Sequence, residues 1–182
     1  MPALRTIERL DDLVTRLHHQ PRRKLTLLVG VDGPSGSGKT TLTLGLARLD
    51  PEITVVAMDD FAVQPAPDAP GLAVAVDWRA VRNQVLLPLQ TNRPGAQRGS
   101  EIGVGGIVIV EGVFSSLRQL RSSYDMRIWV DASEEVRRAR RGPRAGEQEY
   151  LAETPEAGAD LVVDGSGSPA HDRAHYVRVR ET

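Results

Sequence analysis

Gly33-Pro34-Ser35-Gly36-Ser37-Gly38-Lys39-Thr40 decides how the rest of the chain is read. It matches GxxxxGK[ST], the pattern of a loop that cradles phosphates between a strand and a helix. The flanks fit that context. Leu25 to Val31 is a short apolar run suited to a strand buried on both faces, and Thr40 to Leu49 (TTLTLGLARL) has helical apolar spacing. Glycines at 33, 36 and 38 let the backbone turn sharply and aim successive N–H groups at phosphate oxygens, while the helix behind presents its positive end. Lys39 is expected to reach the β and γ phosphates and Thr40 to ligate magnesium. The expected nucleotide contacts are thus Gly33, Ser35, Gly36, Ser37, Gly38, Lys39, Thr40 and Thr41.

A length of 182 residues fits one α/β domain, 1–182, with a sizeable core. The formal net charge of −1 offers no basic field for nucleic acid. Cysteine is absent, which excludes disulfides, thiolate chemistry and cysteine-ligated zinc. The start, MPALRTIERLDDL, is charged, and no run approaches the roughly 18 apolar residues of a membrane span, so a cytoplasmic protein with no membrane partner is expected. Lysine occurs only at 24 and 39, so the chain otherwise uses arginine for positive charge.

Outward from the loop, Ile7, Leu10, Leu13, Val14 and Leu17 are helically spaced and predict an N-terminal helix over Ile7 to His19, within 1–24. His18 and His19 at its end read as solvated. Ile53 to Met58 predicts a second strand ending in Asp59-Asp60-Phe61, and acids at the carboxyl end of a strand lie where open α/β sheets bind ligands. Val63 to Val76 reads as a loop, flap or connector, and Asp77 as the N-cap of a helix running to Leu89 with Trp78 on its apolar face. Gln90 to Gly105 is either a small hairpin or a loop. Gly106 to Gly112 is a buried strand ending in Glu111, the Walker B arrangement in which a carboxylate organises magnesium.

Met126 to Val130 predicts a fourth strand, and Ser133 caps a helix carrying Arg137, Arg138, Arg140 and Arg141. With Arg144 beyond Pro143, these open a lid region over 137–158. Glu147 to Glu153 reads as a short helix, Ala159 to Val163 as a fifth strand, and His175 to Arg180 as an edge strand, with His171 and His175 at the surface.

Phosphoryl transfer needs a phosphate cradle, magnesium, cations on the migrating group and a base at the acceptor hydroxyl. Magnesium is served by Thr40 and Glu111, with Asp59 a further oxygen donor. The cations are Lys39 and the arginines, and Asp59 is the best-placed base, with Asp60 the alternative.

From about Leu27 to Gly165 the chain resembles the uridine kinase and phosphoribulokinase-type family of small P-loop kinases. The resemblance rests on GPSGSGKT, Asp59-Asp60-Phe61, DWRAVRNQVLLPL, IVIVEGV, the arginine-bearing helix and ADLVVDG. It implies a P-loop α/β fold with a five-stranded parallel sheet in order 2-3-1-4-5 flanked by helices. It also implies Asp59 as base, Glu111 as magnesium support, and lid arginines Arg137, Arg140, Arg141 and Arg144 on phosphates, of which Arg140 and Arg144 would act on the transferring group. Two positions depart from the family pattern: Ala62 stands where an aromatic is common, and Arg141-Gly142 replaces an Arg-Asp pair.

The function expected is ATP-dependent transfer of the γ-phosphate to a hydroxyl of a nucleoside-like or other small polar molecule. The alternative is a kinase-like nucleotide-binding or regulatory NTPase with no small-molecule acceptor. A guanine-reading Asn-Lys-x-Asp motif cannot occur, because no lysine follows position 39. Expected partners are ATP, Mg2+ and the acceptor, with monomer and homodimer both left open.

Overall fold

All six residues of Leu27–Asp32 are buried, as a strand covered on both faces must be, and the sheet is built outward from this strand. The computed structural model describes residues 6–64, 76–166 and 176–181. Its strands are β1 (Thr6–Arg9), β2 (Leu27–Asp32), β3 (Ile53–Ala57), β4 (Gly95–Gln97), β5 (Ser100–Ile102), β6 (Ile107–Glu111), β7 (Met126–Asp131), β8 (Leu161–Asp164) and β9 (Tyr176–Glu181). Its helices are α1 (Leu10–His18), α2 (Lys39–Leu49), α3 (78–90), α4 (Glu134–Arg140) and α5 (Glu147–Ala152).

The main sheet runs β1-β9-β8-β7-β2-β6-β3. Its five parallel strands, β3-β6-β2-β7-β8, stand in the expected order 2-3-1-4-5. The sheet is larger than the five strands expected, because β9 adds antiparallel to β8 and β1 adds antiparallel to β9. The predicted edge strand is therefore second from the edge. The N-terminal helix is also shorter than the spacing predicts: Ile7 lies in β1, paired with Arg178, and the helix begins at Leu10. Strand pairing with a segment about 170 residues away overrides a local helical period, as tertiary context often does.

Alternate residues of the central strands face opposite layers. Leu27, Val29, Val31, Ile107 and Ile109 pack with Leu10, Leu13 and Leu17 of α1 and Leu42 and Leu46 of α2. Leu28, Val56, Val108 and Val110 pack with Val81, Val85, Leu86 and Leu89 of α3 and with Phe114 and Leu120. Leu13 and Leu46 are fully buried, so truncating either to alanine should cost about 2–5 kcal/mol. The layers hold α2 rigidly behind the phosphate loop.

Asp77 caps α3 as expected, its Oδ1 accepting the Ala80 amide at 3.0 Å. The middle of that helix, Val81–Leu86, is wound as a π-helix. Pro88 supplies the reason: it has no N–H, and its ring crowds the carbonyl four residues back, at Gln84. Gln90 to Gly105, left open above, holds a hairpin, β4 against β5. His18 is not a solvated side chain but bonds Asp50 at 2.6 Å, tying the end of α1 to the end of α2. Most of the 63–76 loop, and His171 and His175, lie outside the described residues.

Candidate functional site

The phosphate loop leaves β2 at Gly33, whose φ of +146° suits glycine, and a Cβ there would lie 2.0 Å from the Val130 carbonyl oxygen. At Gly36, φ is +77° and a Cβ would meet the Arg137 carbonyl at 2.7 Å, so the loop is seated directly against the start of the arginine segment. Leu42 donates to the Gly38 carbonyl at 3.0 Å as α2 begins. The first-turn amides of Lys39, Thr40 and Thr41 therefore have no carbonyl behind them within the helix and face the loop's concavity with its positive end. Ser37 Oγ is fully buried and is the one buried side-chain polar atom without a partner among the described residues. An orphaned hydroxyl beside unpaired amides fits a phosphate ligand.

Lys39 is buried, and its Nζ donates to the Gly33 and Pro34 carbonyls, both at 2.8 Å. Burial lowers its pKa, opposed by the carboxylates of Asp32, Glu111 and Glu147. Thr40 Oγ1 donates to Glu111 Oε1 at 3.0 Å. Burial pushes the Glu111 carboxyl up, against the pull of Thr40 and Lys39. A hydroxyl and a carboxylate side by side fit the oxygen preference of magnesium.

A single 3-10 turn, Met58–Phe61, ends β3 and sends its two acids to different partners. Asp59 meets both arms of Arg144, Nη1 to Oδ1 and Nη2 to Oδ2, each at 2.6 Å. Burial raises its pKa, but Arg144, aided by the charges of Arg141 and Lys39, outweighs this and holds the carboxyl below the usual range. Asp60 instead accepts from Gln97 Nε2 and pairs with Arg98 Nε at 3.1 Å, both from the β4–β5 hairpin. Asp59 alone of the two is placed beside the arginine segment.

Ser133 caps α4, accepting the Val136 amide at 3.4 Å. Arg140 Nη1 donates to the carbonyls of Gly36 at 3.1 Å and Gly165 at 2.9 Å, binding the loop to the end of β8. Arg137 Nε donates to the Ala132 carbonyl at 3.1 Å while its backbone abuts Gly36. Arg141 ends the helix and acts on Asp59 only through its charge. Arg138 pairs with Glu134 on the exposed face at 2.5 Å. The expected set Arg137, Arg140, Arg141 and Arg144 is thus gathered around the loop and Asp59, and Arg138 is not.

Sequence reasoning missed two buried acids. Asp32 accepts the amides of Gly33 and Ser116, both at 2.7 Å, and the Tyr150 hydroxyl at 2.6 Å. Burial pushes its pKa up while these donors oppose the rise. Its signal was present, an acid closing an otherwise apolar strand. Glu147 accepts the Ser35 amide at 2.7 Å, the Ser35 hydroxyl at 2.6 Å and the Arg144 amide at 2.7 Å. No local pattern marks it, because Ser35 lies 112 residues away.

No family model matches the chain. Over 121 residues, 57% of the chain, it is 29% identical to the inorganic pyrophosphatase TTM2 of Arabidopsis thaliana, and the match spans only 18% of that protein's length. Among solved structures it is similar to a possible uridine kinase from Bacillus stearothermophilus, with 23% identity, a TM-score of 0.66, and coverage of 84% of this chain and 96% of that one. It is also similar to a candidate fructose transport system kinase from Silicibacter sp. TM1040, with 21% identity, a TM-score of 0.57, and coverage of 80% and 82%. With the phosphate loop, the strand order and the arginine segment in place, the fold of this chain is that of the uridine kinase-like P-loop kinases.

Proposed function

We propose that the chain is an ATP-dependent kinase that transfers the γ-phosphate to a hydroxyl of a small polar molecule. The observation that carries this reading is the Asp59–Arg144 pair. It sets a carboxylate and a guanidinium, one a proton acceptor and the other a phosphate-binding group, in contact beside the loop. The first-turn amides of α2, the Ser37 hydroxyl and Lys39 hold the phosphates, and Arg140 and Arg144 grip them from the lid side, with Arg137 and Arg141 supporting. Thr40 and Glu111 would hold a magnesium ion, which when bound offsets negative charge on the phosphate oxygens. Asp59 accepts the proton of the acceptor hydroxyl as its oxygen bonds to the γ phosphorus and the bond to the ADP oxygen breaks.

The acceptor is not an ordinary pyrimidine nucleoside. A planar base is held by aromatic stacking, and this chain is 4% aromatic. Phe61, Phe114, Trp129 and Tyr150 are buried, Tyr124 packs against the core, and Trp78 does so too while stacking on Arg79 at 4.4 Å. Losing one platform removes about 1–3 kcal/mol, roughly a tenfold to hundredfold drop in affinity. ADP release from Mg·ATP, measured with uridine, cytidine and a panel of non-nucleoside hydroxyl compounds, tests both statements. Release stimulated by a non-nucleoside acceptor is expected. A kcat/KM for uridine above every other acceptor overturns the acceptor class, and release indifferent to all acceptors favours a nucleotide-binding regulatory protein.

A further inference from the structure

We infer that Glu147 is a positioning residue of the nucleotide site, one carboxylate that locks the phosphate loop at Ser35 and fixes the turn carrying Arg144 to Asp59. This rests on the proposed nucleotide site and names a part of it that no motif marks.

Glu147 is 1% exposed and opens α5. Its Oε1 accepts the Ser35 amide, and its Oε2 accepts both the Ser35 hydroxyl and the Arg144 amide. The Glu147 amide in turn donates to the Arg144 carbonyl at 3.1 Å, so Arg144 is held through both its backbone groups. Three donors converge on two oxygens, and only a carboxylate satisfies them all. In a glutamine, one end of the side chain would turn an NH2 against a donor. A buried anion next to a site for anionic phosphates is unfavourable in itself, and the charge of Lys39 and the three short bonds offset that cost.

The same helix holds the loop a second time. Tyr150, on the same face as Glu147, donates to Asp32 Oδ2, and Asp32 holds the Gly33 amide. The first half of the loop is thereby pinned at Gly33 and at Ser35 from one short helix. The Ser35 amide is already committed to Glu147, while the first-turn amides of α2 stay directed at the ligand. α5 thus braces the loop at two points, through Glu147 and through Tyr150. The turn that carries Arg144 to Asp59 is anchored to this helix at Glu147.

Calorimetric titration of Mg·ATP, which needs no acceptor, tests the inference. Glu147→Gln should weaken Mg·ATP binding about tenfold, the loss of one charge-assisted bond. Glu147→Asp should recover part of that loss. Leu89→Ala, a fully buried core truncation, supplies the comparison: it should lower the unfolding midpoint without changing Mg·ATP affinity at a temperature where it is folded. Should Glu147→Gln fail to fold, Ser35→Ala removes the hydroxyl donor from the other side and should weaken binding in the same direction. In variants that fold, the Ser35→Ala and Glu147→Gln losses should not add. Unchanged affinity in Glu147→Gln, or additive losses in the double variant, overturns the inference while wild-type binding leaves the nucleotide site standing. A wild-type chain that binds no Mg·ATP overturns both.

Discussion

The phosphate loop leaves the end of β2 and the acid turn leaves the end of β3, one strand apart in the same sheet, yet the two are built in different ways. The loop is eight consecutive residues whose ligand-facing groups are mostly backbone amides, held by a buried strand behind and a rigid helix ahead. The acid turn supplies two side chains whose meaning comes entirely from distant partners: Arg144, 85 residues on, for Asp59, and the β4–β5 turn for Asp60. A site made of amides keeps its geometry as long as the chain folds. A site made of ion pairs is only as fixed as the segments that bring the partners together.

Breaking the loop half should have the largest effect. Lys39→Ala is expected to lower kcat by about 10³-fold or more, since a cation on the transferring phosphates carries that order of stabilisation. The structure adds a cost to the fold, because the buried ammonium satisfies two loop carbonyls. Leaving them unpaired should lower stability by about 1–3 kcal/mol, read as a fall in the unfolding midpoint. Turnover near wild type in this variant would falsify the phosphate-loop assignment.

Asp59→Asn tests the other half and should lower kcat by about 10²–10⁴-fold while Mg·ATP affinity holds. A collapse in that affinity would make Asp59 a metal or nucleotide residue. The pH dependence sharpens the point. Burial raises the Asp59 pKa but Arg144 prevails, so the folded value lies below the unfolded one. The pair's stabilisation is then present above the unfolded carboxylate pKa and is lost as pH falls through the folded value. Arg144→Ala should therefore move the acid limb of kcat/KM to higher pH, and an unmoved limb would separate Asp59 from the rate.

This contrast also sets what could be read from the sequence. GPSGSGKT, the apolar strands and the Ser133 and Asp77 caps depend on neighbours within a few residues, and each is found where the spacing predicts. Order 2-3-1-4-5 came with the family resemblance, and the five parallel strands keep it. What was illegible depends on pairing across the chain. TIER is a strand because β9 is there to receive it, and Asp59 separates from Asp60 only because one turn points them at different segments. Glu147 is a surface-type residue in an unremarkable stretch until Ser35 is brought to it. The direction of Lys39, outward to solvent or inward to carbonyls, is likewise a matter of packing that a motif does not carry.

Glu111 belongs to both halves, since it ends the strand between them and holds Thr40. Glu111→Gln keeps the shape and removes the charge, and should raise the magnesium concentration for half-maximal activity about 10–100-fold. A titration that overlays the wild type would leave Glu111 as a partner for Thr40 alone.

The smallest effect is expected at Arg98, and it decides whether the β4–β5 turn supports the site or touches the acceptor. Arg98 and Gly99 both have positive φ, +50° and +80°, the two-residue turn for which Asn-Gly is the favoured pair. Arginine there is strained by its Cβ, by about 1–2 kcal/mol, a cost that asparagine largely escapes. Its ion pair with Asp60 is exposed on the arginine side, at 72%, and such a pair is worth about 0–1 kcal/mol. Arg98→Asn therefore exchanges one small term for another and should leave stability within about 1 kcal/mol of wild type, while Gln97 continues to hold Asp60. If the turn only supports the site, acceptor KM and kcat follow stability and barely move. A large rise in acceptor KM with the ATP KM unchanged would instead mean that Arg98 leaves Asp60 to bind the acceptor, and the acceptor would then be sought among anionic molecules.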